Sequence, residues 1–383
     1  MKNVAIIADT HADESKRFDE HNRVMAWIAK DVAERNVDLV VHCGDIWERR
    51  STSAERAAVG DWVRAVTEHC PLIAVAGNHD DPADVLWLSK LRTKHPVYAF
   101  DRPGVFSVEG VAIAALPWPR KGNLLAASSG GKEETSTLAI DLLRNVIRGL
   151  GAELDAYEGL PRLLACHVMI DGAKTDHEQP MVGADMAVSL ADLALARCDF
   201  VACGHVHAQN SWSFGDSEIA YPGTPRCSNF GEPGPKGYII VSMAQDTALW
   251  ERVPTPATPM LLLEGSWNVA TSTMDITSKV YPHADTVRGA ECRFRFTVEA
   301  DHREAAKRAA TELKDRMLAD GAVSCKLDEQ VIAVTRARAP EISSAKTLSD
   351  KLAVLWTVRN DVPDAARRER LLAKLSLLEA EVA

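Results

Sequence analysis

The chain has 383 residues, of which 46% are hydrophobic and 26% charged, and its formal net charge is −10. This composition is typical of a soluble globular protein with two or three domains. The negative charge argues against a stand-alone nucleic-acid-binding protein, because phosphate contacts need Lys and Arg. It does not exclude nucleic acid as a substrate, since bound divalent metals or a basic partner can supply positive charge locally.

The apolar runs argue against both membrane insertion and secretion. None approaches the roughly 20 residues that a spanning helix needs, and the first, residues 4–8, is too short for a signal peptide. The eight cysteines show no C-x-x-C spacing, and Cys43, Cys166 and Cys203 lie inside apolar runs. We therefore expect a cytoplasmic protein with reduced thiols and no membrane association.

Residues 1–250 alternate short apolar runs with amphipathic stretches, which indicates an α/β layered core. Val24, Ile28 and Val32 recur at helical spacing between two such runs. Residues 120–137 show little periodicity and predict a surface loop, and residues 212–253 predict a β-rich segment. The runs that predict buried strands are residues 4–8, 39–41, 72–76, 163–166 and 200–203.

The last third of the chain predicts two further parts. Pro254, Pro256 and Pro259 mark a linker. An alternating strand pattern at 292–298, a helix at 303–318 and an apolar run at 331–334 then predict a small α+β domain. Two leucine-rich helices are expected in residues 346–383, broken near Pro363. The predicted domains are residues 1–253, 254–340 and 341–383.

A polar cluster falls at or just beyond the end of each of the five predicted strands. Because the carboxyl ends of parallel strands share one edge of a sheet, these clusters are expected to converge on one site. Each cluster alone could be an ordinary turn or a buried histidine, but their common placement favours a shared function. They are Asp9-Thr10-His11, Gly44-Asp45, Gly77-Asn78-His79-Asp80, His167 and Gly204-His205-Val206-His207.

The residue types in these clusters predict a centre for two divalent metal ions. Carboxylates, imidazoles and an amide oxygen suit Mn, Fe or Zn. Two ions about 3.5–4 Å apart need a shared ligand, and Asp45 is the expected bridge. The predicted ligands are Asp9, His11 and His207 for the first ion and Asn78, His167 and His205 for the second.

Two neighbouring features complete the predicted site. His79 directly follows a ligand, so we expect it to face substrate as the catalytic residue that protonates the leaving alkoxide or stabilises phosphoryl oxygens. Gly44, Gly77 and Gly204 are expected to let the chain turn sharply at strand ends and to bring backbone close to the metals.

Taken in order, these clusters resemble the motifs of the calcineurin-like metallophosphoesterase family over about the first 250 residues. The resemblance implies a β-sandwich flanked by helices and a two-metal site. A narrower set of segments is similar to SbcD-type DNA nuclease subunits. These segments are 116–118, 167–173 with Asp176 and Glu178, 221–225, and 230 with 236–237.

The narrower resemblance implies a manganese-dependent DNA exonuclease and endonuclease that acts in DNA end processing, repair or recombination. It also implies that 254–340 is a DNA-binding capping domain. In that family the nuclease subunits form homodimers that assemble with an SbcC-type coiled-coil ATPase into a heterotetramer, and the helices in 341–383 would contact that ATPase. One departure is Glu48, where some members have a histidine three residues after the bridging Asp.

Two other functions remain as alternatives. A small-substrate phosphoesterase, such as a cyclic-nucleotide phosphodiesterase, could use the same metals, but it would not need residues 255–383. A scaffold that keeps the fold without catalysis would be expected to lack ligands, and none of the predicted set is missing. For the C-terminal helices, docking on the chain's own domains and dimerisation are alternatives to an ATPase contact.

Overall fold

The computed structural model describes residues 1–120, 132–174, 186–232, 234–278, 282–332, 342, 345, 347–359 and 362–382. Asp176 and Glu178, which contribute to the family resemblance, lie outside these ranges. The chain divides into two compact units. The first comprises residues 1–264, 276–295 and 311–328, and the second comprises residues 265–275, 296–310 and 329–383.

Eighteen strands lie in the described ranges, numbered here in chain order. They are β1 (Lys2–Ile7), β2 (Leu39–His42), β3 (Leu72–Val75), β4 (Val97–Phe100), β5 (Gly104–Val108), β6 (Val111–Leu116), β7 (Arg162–His167), β8 (Met169–Ile170), β9 (Ala187–Val188), β10 (Phe200–Gly204), β11 (Asn210–Phe214), β12 (Ser217–Tyr221), β13 (Gly237–Ala244), β14 (Thr247–Pro254), β15 (Met260–Asn268), β16 (Thr273–Ile276), β17 (Glu291–Glu299) and β18 (Ser324–Ile332).

Nine α-helices accompany them in the same part of the chain. They are α1 (Phe18–Glu34), α2 (Ser53–Thr67), α3 (Pro82–Leu88), α4 (Lys132–Leu154), α5 (Leu190–Ala194), α6 (Ala284–Val287), α7 (Arg303–Ala319), α8 (Leu348–Val358) and α9 (Ala365–Val382). No helix among these described residues is long and apolar enough to cross a bilayer.

Two six-stranded mixed sheets form the centre of the first unit. The first has the order β14-β13-β1-β2-β3-β4, in which β1 to β4 are parallel and β13 and β14 antiparallel. The second has the order β11-β12-β10-β7-β6-β5, with a parallel centre from β12 to β6 and antiparallel strands at both edges. The predicted α/β class is confirmed, and the five predicted strands are divided between the two sheets, with β1, β2 and β3 in the first and β7 and β10 in the second.

Alternation along each strand produces three hydrophobic layers. Val4 and Ile6 of β1 pack in the layer between the two sheets, whereas Ala5 and Ile7 pack in the layer under α1 and α2. A third layer lies between the second sheet and α4. Because both faces of each central strand are buried, the strands appear in the sequence as continuous apolar runs.

Capping side chains determine where two of the helices begin. At the start of α2, Thr52 Oγ1 accepts from the Glu55 backbone N–H at 3.3 Å, and the Glu55 carboxylate accepts from the Thr52 N–H at 2.8 Å. This reciprocal pair satisfies two N–H groups that the helix leaves unpaired. The Asp81 side chain caps α3 by accepting from the Ala83 N–H, ahead of Pro82 at the first helical position. Both helices therefore begin shortly after strand ends that carry predicted site residues.

The prediction of a loop at residues 120–137 is wrong for its last part, because α4 begins at Lys132. The apolar residues of α4 that are buried start only at Ala139 and continue with Leu143, Ile147 and Leu150. Its first turns are polar, so hydrophobic periodicity could not reveal them. Residues 121–131 lie outside the described ranges.

Strands and one long helix follow the predicted linker. Here β15 to β18 form a four-stranded sheet in the order β16-β15-β17-β18. The predicted alternation at 292–298 and the helix at 303–318 are found as β17 and α7. In the second unit, α8 and α9 are the two helices predicted on either side of Pro363, and the Arg368 guanidinium lies over the Trp356 ring at 6.0 Å.

Candidate metal centre

The eight predicted site residues lie at the carboxyl ends of β1, β2, β3, β7 and β10, or in the loops that follow them. Both sheets contribute strands, and the loops after β1 and β2 are joined directly. The Asp9 N–H donates to the Gly44 carbonyl at 3.0 Å, and the His11 N–H donates to the Asp45 carbonyl at 3.1 Å. These bonds bring side chains from distant parts of the sequence to one edge of the sandwich.

The first group of side chains contains Asp9, His11 and His207, whose ligand-type atoms all lie within 4.8 Å of one another. The two Nε2 atoms of His11 and His207 are 3.0 Å apart. Asp9 and His11 are nearly fully buried, and His207 is partly exposed. This group has the composition and spacing of a candidate site for one metal ion.

The second group contains Asp45, His167 and His205, also with ligand-type atoms within 4.8 Å of one another. Asn78 joins it, because its Oδ1 lies 2.9 Å from both His167 Nε2 and His205 Nδ1. Asp45 Oδ2 lies 3.4 Å from His167 Nε2 and 3.8 Å from His11 Nε2. The Asp45 carboxylate therefore stands between the two groups.

The orientation of two imidazoles fits a bound cation, because His167 Nε2 and His207 Nε2 each present a lone pair to a neighbouring ligand-type atom. His167 Nδ1 donates to the Cys43 carbonyl at 2.7 Å, so in the neutral ring Nε2 is an acceptor that faces the Asn78 oxygen. His207 Nδ1 donates to the Glu232 carboxylate at 2.8 Å, which leaves its Nε2 as an acceptor facing His11. Acceptors this close need a proton or a metal ion between them.

When no metal is bound, charge interactions in the second group determine which side chain carries a proton. Burial alone would lower the pKa of His167, but the negative charges of Asp45 and Asp9 outweigh it and raise that pKa to about 9. Burial, aided by the charge on His167, lowers the pKa of His205 to about 4. Burial also favours a protonated Asp45, but the neighbouring imidazolium of His167 holds the pKa of Asp45 well below its usual range. A divalent ion would replace the proton on His167, because metal ligands bind in their deprotonated form.

The backbone at four of these residues is in the left-handed region, which non-glycine residues seldom adopt. The φ angles are 53° at Asp9, 45° at His11, 54° at Asp45 and 107° at His205. Each such conformation costs of order 1–3 kcal/mol and persists only where the surroundings enforce it. The bonds between the loops after β1 and β2 provide that enforcement for the first three residues. At these positions the unusual backbone aims the side chains of Asp9, His11 and Asp45 inward.

Close backbone approach explains two of the three predicted glycines. A Cβ on Gly77 would lie 2.1 Å from Asp45 Oδ1, and a Cβ on Gly204 would lie 2.0 Å from the Cys43 carbonyl oxygen. Gly44 meets the predicted turn requirement, since its φ is +91°. Only a residue without a side chain lets these loops pack against each other.

Gly77→Ala should destabilise the protein by about 1–3 kcal/mol and weaken metal binding, because the new methyl group displaces the Asp45 carboxylate. The matched control is Gly149→Ala in α4, where a Cβ meets nothing within 4 Å. That change should stabilise the helix by roughly 0.5–1 kcal/mol. Chemical denaturation and calorimetric metal titration measure both effects. Equal behaviour of the two variants would contradict the assigned role of Gly77.

One residue that the sequence did not reveal, Glu232, positions the imidazole of His207. Glu232 is 5% exposed and accepts from His207 Nδ1, and Lys236 Nζ lies 3.3 Å from the same carboxylate. These contacts outweigh the effect of burial and lower the pKa of Glu232 to about 2, so it is charged at neutral pH. Trp118 packs its ring 4.8 Å from that of His205. No spacing pattern points to Glu232, which follows His207 by 25 residues.

Glu232→Gln should lower the affinity for metal ions by about 10–100-fold, because the carboxylate orients His207 and makes it a stronger ligand. Isothermal titration with Mn²⁺ provides the measurement. Glu34→Gln, whose side chain is 63% exposed, is the control and should bind metal as the parent does. Unchanged affinity in Glu232→Gln would show that His207 needs no such support.

His79 is exposed, whereas the ligand-type residues around it are buried or partly buried. Its backbone N–H donates to Asp45 Oδ1 at 2.9 Å, and its Nδ1 donates to the Glu48 carbonyl at 2.9 Å. The bond at Nδ1 leaves Nε2 without a protein partner among these contacts. The Glu48 carboxylate lies 3.1 Å from His11 Nδ1, within ion-pair distance of that imidazole.

Comparison with known proteins identifies the family. A model described as calcineurin-like phosphoesterase matches residues 2–209, which is more than half of the chain. The chain therefore belongs to the calcineurin-like phosphoesterase family, as the motifs predicted. Its mixed α/β sheets agree with that fold, and its His and Asp groups are candidate metal sites typical of dimetal phosphoesterases.

More distant similarity extends to a nuclease subunit and to a DNA double-strand break repair protein. The chain is 24% identical over 260 residues to the SbcD component of the nuclease SbcCD of Bacillus subtilis (strain 168), which covers 62% of this chain and 64% of that protein. It is 21% identical over 244 residues to the DNA double-strand break repair protein Mre11 of Methanosarcina mazei. That alignment covers 62% of this chain and 35% of Mre11. The similarity thus spans less than two thirds of either relative.

Among solved structures, TT1561 of Thermus thermophilus is 12% identical in sequence, with a TM-score of 0.41. The match covers 66% of this chain and 98% of that one.

Proposed function

We propose that this chain is a two-metal phosphodiesterase that cleaves DNA. The observation that carries the proposal is the pair of acceptor-rich groups with the Asp45 carboxylate between them. Asp9, His11 and His207 would hold one divalent ion, and Asn78, His167 and His205 the other, with Asp45 shared. Mn²⁺ is the proposed metal, because borderline nitrogen and oxygen ligands suit it.

Two bound ions would acidify a water molecule and neutralise charge on the phosphoryl oxygens. The chain's own residues supply the positioning. The backbone hydrogen bonds between the loops after β1 and β2 aim Asp9, His11 and Asp45 inward. Glu232 and the Cys43 carbonyl select the imidazole tautomers that leave the ligand nitrogens free.

His79 is the proposed catalytic residue. Since its Nδ1 is engaged by the Glu48 carbonyl, its Nε2 is the atom available to a substrate oxygen. A protonated Nε2 would donate to the leaving alkoxide or to a phosphoryl oxygen. The exposed position of His79 gives a large substrate access to this atom.

The distant relatives support DNA as the substrate, because one is named as a nuclease and the other for DNA repair. The length of the chain beyond β14 also supports it. A hydrolase of small diesters has no need of the four-stranded sheet in the 254–340 segment, which we propose as the DNA-binding capping domain. A homodimer is proposed as the nuclease unit.

An SbcC-type coiled-coil ATPase is the proposed partner, since the Bacillus subtilis relative is named as one component of a complex. The C-terminal helices offer a contact surface. Leu348, Val358 and Leu378 are each about half exposed in α8 and α9. Short helices gain most of their stability when their apolar side chains pack against another element. Removal of residues 341–383 should abolish ATPase binding and leave metal loading intact.

Incubation with labelled linear duplex DNA, hairpin DNA and a cyclic nucleotide, with Mn²⁺ or with EDTA, tests the function. DNA cleavage that needs Mn²⁺ is the expected result. Hydrolysis of the cyclic nucleotide alone would instead assign a small-substrate phosphoesterase. Absence of any hydrolysis by metal-loaded protein would overturn the enzymatic assignment.

A further inference from the structure

A cavity of about 460 Å³ opens beside the metal centre, between the segment after β6 and helix α4. Its walls are largely apolar and rigid, since Pro103, Pro117, Trp118 and Pro119 contribute to them. Val146 of α4 closes the opposite side. A volume of this size falls in the range of pockets that hold small organic groups.

Three contacts attach this cavity to the metal-ligand loops. The Trp118 ring, which lines the cavity, also packs against the ring of His205. The backbone N–H of Trp118 donates to the carbonyl of Ala76, the residue before Gly77, at 2.8 Å. Arg120 Nη2 donates to the Asp80 carbonyl at 3.3 Å. These contacts therefore join the lining of the cavity to the loop after β3, which carries Asn78 and His79.

Charged groups surround the mouth of the cavity. Arg102 and Arg120 line this cavity, and both are exposed. Asp101 adds one carboxylate at the same rim. Flat apolar walls with cations at the entrance suit an aromatic ring that carries a phosphate.

We propose that this cavity binds an unpaired nucleobase of the DNA strand whose phosphate lies at the metal centre. The inference rests on the proposed function and adds a subsite to it. The base stacks against Trp118 and the prolines, the arginines contact its backbone phosphates, and Asp101 accepts from an exocyclic amino group. A paired base cannot enter, because its edge and one face are occupied in the duplex. The subsite therefore selects frayed or single-stranded ends.

Binding of a short single-stranded oligonucleotide with 2-aminopurine at one end tests this subsite. The fluorescence of that base falls when it stacks, and both the 5′-labelled and the 3′-labelled strands are used. Titrations are done in EDTA and in Ca²⁺, so that the readout does not depend on Mn²⁺-supported cleavage. A matching oligonucleotide that lacks the terminal base measures what the base contributes.

The parent protein should quench one of the two labels and bind the strand with its terminal base on the order of ten-fold more tightly than the abasic strand. Val146→Trp projects an indole ring into the space that the base would occupy, and in that variant the preference for the base should disappear. Arg102→Ala, a change at the exposed rim, should weaken binding several-fold even if the larger substitution perturbs folding. Arg148→Ala is the control, because Arg148 is exposed and lies on the same helix as Val146. This variant should behave as the parent does.

Each contrary result has a distinct meaning. Mn²⁺-dependent DNA cleavage without quenching, or with an unchanged base preference in Val146→Trp, would overturn the subsite and leave the nuclease assignment standing. Failure of the parent to bind or cleave DNA would overturn both. Quenching of a free nucleotide in the absence of DNA binding would reject DNA as the occupant.

Discussion

Asp45→Asn is expected to reduce the metal content from two ions per chain to one or none, and to slow DNA cleavage by about 10³-fold. An amide keeps the shape of the side chain but removes the negative charge that stands between the two groups. A loss of rate of this size is typical of enzymes that lose one preorganised electrostatic contact to the transition state. Inductively coupled plasma measurement of bound manganese and steady-state cleavage of duplex DNA check the two parts.

A neutral change at the surface provides the comparison for Asp45→Asn. Asp61→Asn removes a carboxylate that is 79% exposed in α2, and it should keep both ions and the parental rate. Cooperative thermal unfolding in EDTA shows that the Asp45 variant is folded. If that variant retained two ions at parental affinity, Asp45 could not be the shared ligand.

His79→Ala is expected to keep its metal ions and to lose DNA cleavage by about 10²–10⁴-fold, the range in which a general acid contributes. Metal retention follows from the geometry, because the contact of residue 79 with Asp45 is made by its backbone N–H and survives the substitution. A substrate with an activated leaving group should be much less affected, since it needs no proton.

His69→Ala is the matched histidine deletion, since His69 is exposed and lies just after α2, away from the strand ends that carry the metal ligands. It should cleave all substrates at the parental rate. Loss of metal from His79→Ala would make His79 a ligand instead of a catalytic residue. A parental rate on ordinary DNA in that variant would remove it from the mechanism.

Local sequence patterns predicted most of the elements and the side chains that the structure brings together at the strand ends, although they did not reveal Glu232. Buried strands such as β1 and β10 appear as apolar runs because each residue reports its own burial. Gly, Asp, Asn and His follow those runs because a chain leaving a sheet must turn, and the turn is where a ligand can be presented. The start of α4 was missed because residues 132–137 are all polar in the sequence and so show no hydrophobic periodicity.

The choice of partners was decided only by the tertiary structure. Asn78 meets His205 across 127 residues, and Asp9 binds the His205 N–H across 196. Glu232 becomes the support of His207 only when a Gly- and Pro-rich turn folds back onto the loop after β10. The distribution of the strands over two sheets, the left-handed backbone at Asp9 and Asp45, and the cavity beside Trp118 are likewise products of packing between distant segments. Periodicity records whether a residue is buried, but it carries no information about which distant residue buries it.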